Sequence, residues 1–240
     1  MLKNSDIKLK LLGKLQETIP PELQGSFDLF LLGSVSYNSH RQNLDNDSFI
    51  LWNKKLKFEE KNQIIDAINQ AFVQLGFSQC PDSMNVNNPL WQGTEKEWVV
   101  RVSELESSHE INSKLHLLAL LDHYPIKGQT PDFIRSIKVD SSFLKLFCYD
   151  FVRLLGFRES FRKLILRVTV LVHYLNKGHK VKFNSINERL EMLSKHLNID
   201  LSLLKNHSEI SKFSFYKKIK VYIILVRIYL KFFILYLKED

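Results

Sequence analysis

The residues best equipped for chemistry lie in Leu31–Trp52, LLGSVSYNSHRQNLDNDSFILW. An apolar run ends at Gly33-Ser34, a polar loop follows, and Asp45-Asn46-Asp47 opens the next apolar run. On an extended strand, side chains at i and i+2 share a face, so Asp45 and Asp47 are expected to project together. Two carboxylates held that close repel unless a cation lies between them, and Mg²⁺, which takes carboxylate and phosphate oxygens, suits the pair. Gly33 allows close backbone approach at the strand end, and Ser34 offers a hydroxyl and a backbone amide to a phosphate. A phosphate cradle beside a carboxylate pair can support metal-assisted transfer of a nucleoside monophosphate. The same spacing also fits a solvated Asp-Asn-Asp turn beside a Gly-Ser turn, and spacing alone leaves both readings open.

Those residues need strands and helices to hold them. Ile7, Leu11, Leu12 and Leu15 recur at helical spacing over residues 5–18, ahead of Pro20-Pro21. Phe27–Leu32 reads as a buried strand ending at Gly33, and Ser48–Trp52 as a second strand. Lys61–Leu75 is amphipathic and stops at Gly76. Val99–Val102 fits either a strand or the middle of a helix running from Thr94, and Ile111–Leu121 leads to Asp122 before Pro125, Gly128 and Pro131 punctuate the chain. From about residue 132 the pattern is helical, over Phe143–Leu155, Phe161–Leu175, Ile186–His196 and Phe213–Leu237. The predicted fold class is α+β, a mixed sheet flanked by helices over residues 1–130, followed by an all-α bundle over 131–240.

Charge is also unevenly distributed along the chain. Residues 1–150 hold 16 Lys+Arg against 19 Asp+Glu, and residues 151–240 hold 18 against 7. An acidic half followed by a basic half predicts different partners for the two, and a solvated basic helical surface fits as well as an anion-binding one; nucleic acid stays open through the basic half alone. Two cysteines, Cys80 and Cys148, are too few for a disulfide framework. They predict a reducing, cytoplasmic compartment with both thiols buried as small hydrophobes. The most membrane-like stretch, Val221–Leu237, is interrupted by Arg227 and Lys231. Each charge costs roughly 2.5–3.5 kcal/mol at a bilayer centre, so the expectation is a packed terminal helix with one wet stripe and no membrane partner.

The Gly33–Asp47 segment resembles the signature of the nucleotidyltransferase superfamily, Gly-Ser followed after a loop by Asp-x-Asp on a strand. More narrowly, it is similar to the bacterial nucleotidyltransferases related to the PII-protein uridylyltransferases, whose pattern runs G-S-x-G-R-x-E-Q-x-L-x-x-D-Q-D-N with the glycine-to-aspartate distance seen between Gly33 and Asp45. GFSQCPDSMNVNNPLW (Gly76–Trp91) with Trp98 resembles that family's G-x-x-x-C-P-x-x-x-M-x-x-N-P-x-W…W stretch, and ALLDHYPIKG (Ala119–Gly128) its F-F-D-x-R-P-x-x-G segment. SINERLEML and VYIILVRIYL resemble parts of its helical half, often labelled a substrate-binding domain.

The resemblance implies a nucleotidyltransferase-like fold and an Mg²⁺-dependent enzyme using ATP or another NTP, with an acceptor hydroxyl on a protein among the candidates. It implies Asp45 and Asp47 as catalytic metal ligands, Gly33 and Ser34 as nucleotide contacts, and Asp122 as a third carboxylate. Tyr37, Ser39 and Tyr124 stand where the family has arginine, glutamate and arginine. Arg41 in the same loop, and Lys163 or Arg167 in the helical half, are the candidate replacements for the missing cation. Loss of those residues also opens a second reading, a catalytically weak homologue that senses nucleotide or binds a protein.

Overall fold

The computed structural model describes residues 4–32, 44–78, 84–137, 143–156, 161, 164, 165, 167, 168 and 186–236. Two compact units are present: Met1–Leu105 with Ala119–Ser136, and Glu106–Leu118 with Ile137–Asp240. The fold class is α+β, a mixed four-stranded sheet flanked by helices, and every described strand lies before residue 128.

The first unit is built around β1 (Phe27–Leu31), which lies between β3 (Ser48–Trp52) and β6 (Tyr124–Lys127) and runs antiparallel to both. β5 (Gln92–Thr94) adds to the far side of β3 in parallel, giving the order β5-β3-β1-β6. A separate parallel pair joins β2 (Leu44–Asp45) to β4 (Phe77–Ser78). Alternation sends Phe27, Leu29 and Leu31 to one face of the sheet, with Ile50 and Trp52 from β3. That face is covered by α1 (Asn4–Thr18) through Ile7, Leu11 and Leu15, and by α3 (Phe58–Gln74) through Ile64, Ile68 and Phe72. On the other face Phe30 stacks on Phe49 at 4.4 Å between centroids. Phe49 meets the edge of Trp98, which stacks on Phe133 at 5.5 Å. Trp91 and Trp98 pack together, with ring centroids 6.1 Å apart.

Local chemistry explains the boundaries. α1 stops before Pro20-Pro21, and α2 (Pro21–Gln24) starts on Pro21, whose missing N–H is no loss in a first turn. Gly76, after α3, has φ +81°, a conformation other residues rarely adopt. Val99–Val102 lies in α4 (Glu95–Ser107). A capping box decides that helix: Thr94 N–H donates to Glu97 Oε2 at 2.7 Å, and Glu97 N–H donates to Thr94 Oγ1 at 3.4 Å. The Thr94 N–H, and the Thr94 hydroxyl donating at 2.9 Å, hold the Glu97 carboxyl below the usual range. β6 escapes the sequence reading because Pro125 looks like punctuation; it sits on an edge strand, where a proline leaves no central ladder bond unmade. α5 (Ile111–Leu121) precedes β6 and α6 (Asp132–Ser136) follows it.

One polar residue interrupts the apolar run of β1. Asp28 is held near Asn53 and Lys127, and burial nonetheless pushes its carboxyl up. Burial pushes the Lys127 ammonium down, with Asp28 opposing. Lys127 Nζ donates to the Gln24 and Phe27 carbonyls and lies 4.2 Å from the Phe27 ring centroid. Gly128, at φ +89°, leaves room for this arrangement: a Cβ there would fall 2.2 Å from Asp28 Cγ.

In the second unit α7 (Leu144–Leu155) packs against α9 (Phe215–Tyr236), with Phe147 on Phe232 at 4.6 Å and Phe151 beside Tyr229. α8 (Ile186–Leu197) packs on a 3-10 segment, Ser202–Lys212. Asp150 of α7 is fully buried and ion-paired with Arg167. Burial pushes the neighbouring Tyr229 hydroxyl well above its ordinary range; the Asp150 charge adds to this and Arg167 opposes it. Cys148 corrects an expectation: it is exposed on α7, because the helix turns Leu146 and Phe147 inward instead. Cys80 and most of Phe161–Leu175 lie outside the described residues. No helix among the described residues is long and apolar enough to cross a membrane.

Gly128→Ala is expected to lower unfolding free energy by at least about 2 kcal/mol, from the left-handed backbone and the displaced Asp28 carboxylate. In an Asp28→Ala background the loss should shrink, a comparison that urea melts of the four proteins make directly. Burial lowers the pKa of His116 on α5. The folded chain therefore resists protonation that the unfolded chain accepts below about pH 6.5, so stability holds above that pH and falls as pH drops beneath it. His116→Gln should flatten this decline in urea midpoints measured between neutral pH and pH near 5.

Candidate functional site

β1 leaves the sheet between two aspartates. Leu31 lies opposite Ser48 on β3 and opposite Tyr124 on β6. Asp47 precedes Ser48 and Asp122 precedes Tyr124 by two residues, so both stand at the end where β1 runs toward Gly33. Leu32 N–H donates to the Asp47 carbonyl at 2.8 Å, extending the β1–β3 ladder to the last described residue before Gly33. Adjacent strands are about 4.8 Å apart, so the two acid-bearing strands are about 10 Å apart, with β1 between them. Asp47 is 8% exposed and Asp122 7%, rare values for aspartates on an ordinary surface turn.

Asp45 is positioned differently. β2 pairs with β4 so that Asp45 faces Ser78, whose Oγ donates to Asp45 Oδ1 at 3.0 Å. Asn46 N–H donates to the Ser78 carbonyl at 3.0 Å, and Ser48 N–H to the Met84 carbonyl at 2.9 Å. Ser48 Oγ donates to the Asn46 carbonyl at 2.9 Å. Residues 46 and 47 thus belong to neither β2 nor β3, so Asp45 and Asp47 do not lie on one continuous strand. The segment is fixed by bonds to β1 on one side and to Ser78 and Met84 on the other.

A compact loop backs it. Asn85 Oδ1 accepts from Asn87 N–H, and Asn88 Oδ1 accepts from Leu90 N–H at 3.0 Å, capping the 3-10 turn Pro89–Trp91. Gln92 Nε2 donates to the Val86 carbonyl at 2.6 Å, and Trp98 Nε1 to the Ile50 carbonyl at 3.1 Å. The asparagines, proline and tryptophans of this stretch therefore hold β3 in place. Sequence reasoning missed Ser78 as the partner of Asp45, and Asn46, Ser48 and Asn85 as buried polar supports. Only their closeness to the motif residues signalled them.

Next to Asp122, His123 is fixed by both ring nitrogens, Nδ1 2.9 Å from the Leu120 carbonyl and Nε2 2.9 Å from Thr130 Oγ1. A carbonyl only accepts, so Nδ1 carries hydrogen, and in the neutral ring Nε2 accepts from the threonine hydroxyl. Tyr124 packs against the helical core face of the sheet. Lys8 of α1 donates to the Pro125 carbonyl at 3.0 Å and so brings a cation to β6, three residues beyond Asp122. Arg167 is engaged by Asp150 within its own unit. Gly33, Ser34, Arg41, Tyr37, Ser39 and Lys163 lie outside the described residues. Among the described residues no group of three or more His, Cys, Asp and Glu side chains is placed to hold a metal ion. A divalent ion bound here would rest on Asp45 and Asp47, with the remaining ligands from water and phosphate, an arrangement Mg²⁺ commonly uses.

An acid-bearing strand end on a mixed sheet with helices thus leads into the Gly33-Ser34 segment of the sequence. Residues 3–110 match the family described as "Putative nucleotidyltransferase DUF294". This stretch of the chain is nucleotidyltransferase-like; the match includes Asp45 and Asp47 and ends before Asp122. No curated protein matches the chain.

Ser78→Ala should cost less than about 1.5 kcal/mol of stability, since it removes one hydrogen bond at an exposed site. It should weaken divalent-ion binding by about tenfold, as loss of a ligand-orienting partner does. Urea melts and Mn²⁺ titration read the two effects separately.

Proposed function

We propose that the chain transfers a nucleoside monophosphate from an NTP to an acceptor hydroxyl, with Asp45 and Asp47 holding Mg²⁺. The observation that carries this reading is the placement of Asp47 and Asp122 on either side of the β1 end, beside the Asp45–Ser78 contact. Hard carboxylate oxygens are the donors Mg²⁺ takes, so the residues fit the ion. When bound, Mg²⁺ would offset the negative charge of the phosphate oxygens. Gly33 and Ser34 would meet the phosphates, and Arg41 would supply the loop's cation. Asp122 would take the proton of the acceptor hydroxyl as its oxygen bonds to the α-phosphorus, the bond to the bridging oxygen breaks, and pyrophosphate leaves. Ser78 would keep Asp45 oriented while Leu32 and Met84 fix the backbone at Asp47 and Ser48.

One observation favours a second reading, nucleotide sensing without efficient turnover. Tyr124, at an arginine position of the similar family, packs on the core and offers no charge to a phosphate. The two readings separate in one assay, incubation with α-labelled NTPs, Mg²⁺ and host lysate. Transfer predicts label on an acceptor, reduced by about a hundredfold or more in Asp47→Asn and Asp45→Asn, each with an unchanged unfolding midpoint. Divalent-dependent NTP binding without any label on an acceptor would favour sensing. Equal NTP affinity in EDTA and in Mg²⁺ would overturn the metal assignment.

A further inference from the structure

The terminal helix α9 has two faces of the same chemical kind. Val221, Leu225, Ile228, Tyr229 and Phe232 are buried within its own unit. On the opposite side Phe215, Ile219, Ile223, Leu230 and Ile234, spaced by four or seven residues, are between 39% and 81% exposed, with Tyr216 beside them. At 1.5 Å per residue this stripe runs about 28 Å, too long and continuous for scattered surface apolar residues. Lys220 and Arg227, both exposed, lie along one flank of it, and Lys217 stands near its start. Lys231, further along the same flank, is tied to the Leu197 carbonyl at the end of α8. From Ser211 to Lys238 the sequence holds seven Lys and Arg and no Asp or Glu.

We propose that this outer face of α9 docks on an anionic lipid surface, lying in the headgroup region without crossing it. The charge decides between occupants. A second copy of the helix, parallel or antiparallel, would set cation against cation with no acid to answer it. A nucleic acid would satisfy the cations but leave Ile219, Ile223, Leu230 and Ile234 nothing apolar to cover them. An anionic bilayer surface accepts both parts, aliphatic and aromatic side chains into the acyl boundary and Lys and Arg against the headgroups. Spanning needs an apolar helix on all sides; lying on a surface needs only this stripe, held outward by a buried opposite face. The inference is independent of the transfer reaction.

Co-sedimentation of the full chain with vesicles tests it, comparing phosphatidylcholine mixed with phosphatidylglycerol against phosphatidylcholine alone. Binding is expected to the mixed vesicles, weakening as salt rises, and at least about tenfold weaker to the neutral ones. Lys220→Gln with Arg227→Gln should reduce binding by roughly twentyfold, about fivefold per cation. Ile219→Ser with Ile223→Ser should reduce it at least about tenfold, and Phe215→Ser, at the most exposed position, provides a second test of the stripe. All three variants should keep the parent thermal midpoint. Absence of binding to the mixed vesicles, equal binding to both kinds, or binding that survives the variants would overturn the proposal. So would a stripe variant that converts a dimer to a monomer in sedimentation velocity.

Discussion

The first unit depends on β1 having apolar side chains on both faces and a paired strand on both edges. Phe27, Leu29 and Leu31 fill the core under α1 and α3, while Phe30 fills the aromatic core on the other side. Each such side chain contributes about 1.5–3 kcal/mol when fully buried, so this short strand secures two cores at once. Its backbone can do this because β3 and β6 satisfy its N–H and C=O groups on both sides. The exception, Asp28, is half-buried, and Lys127, Asn53 and the missing side chain of Gly128 accommodate it.

That constraint also creates the site. A strand tied on both edges ends at a fixed point, and whatever follows its partners is carried to the same place. Asp47 and Asp122 come from positions 75 residues apart in the sequence and reach opposite sides of one strand end through register alone. Burying carboxylates there is costly unless polar partners or a ligand compensate. The neighbourhood is correspondingly rich in buried polar groups, with Asn46, Ser48 and Asn85 all buried.

The second unit spends its apolar residues differently. Asp150, Arg167 and Tyr229 form a polar knot inside a helical core. Removing either charge of a buried pair strands the other, so such a pair fixes which helix faces meet more than it stabilises them. α9 brings Tyr229 to that knot with one face and shows an apolar stripe with the other. A helix apolar on opposite sides has more hydrophobic surface than its own core uses.

The sequence by itself determined the α+β class, α1, β1, β3, α3, the helical second half and the identity of Asp45, Asp47 and Asp122 as chemically capable residues. Those features follow from local periodicity, from proline and glycine stops, and from a motif contiguous in the chain. It could not decide Val99–Val102, because four apolar residues fit either period until the Thr94–Glu97 box is seen closed. It hid β6, whose Pro125 is acceptable only on an edge, and edge position is a property of the whole sheet. It placed Cys148 inside because a cysteine's burial depends on which way its helix is turned. It read Asp45 and Asp47 as parts of one strand, whereas β2 ends at Asp45 and β3 begins at Ser48 in a different sheet. The approach of Asp122 to the end of β1 was decided by tertiary structure alone, since strand pairing between distant segments leaves no mark on either segment's local pattern.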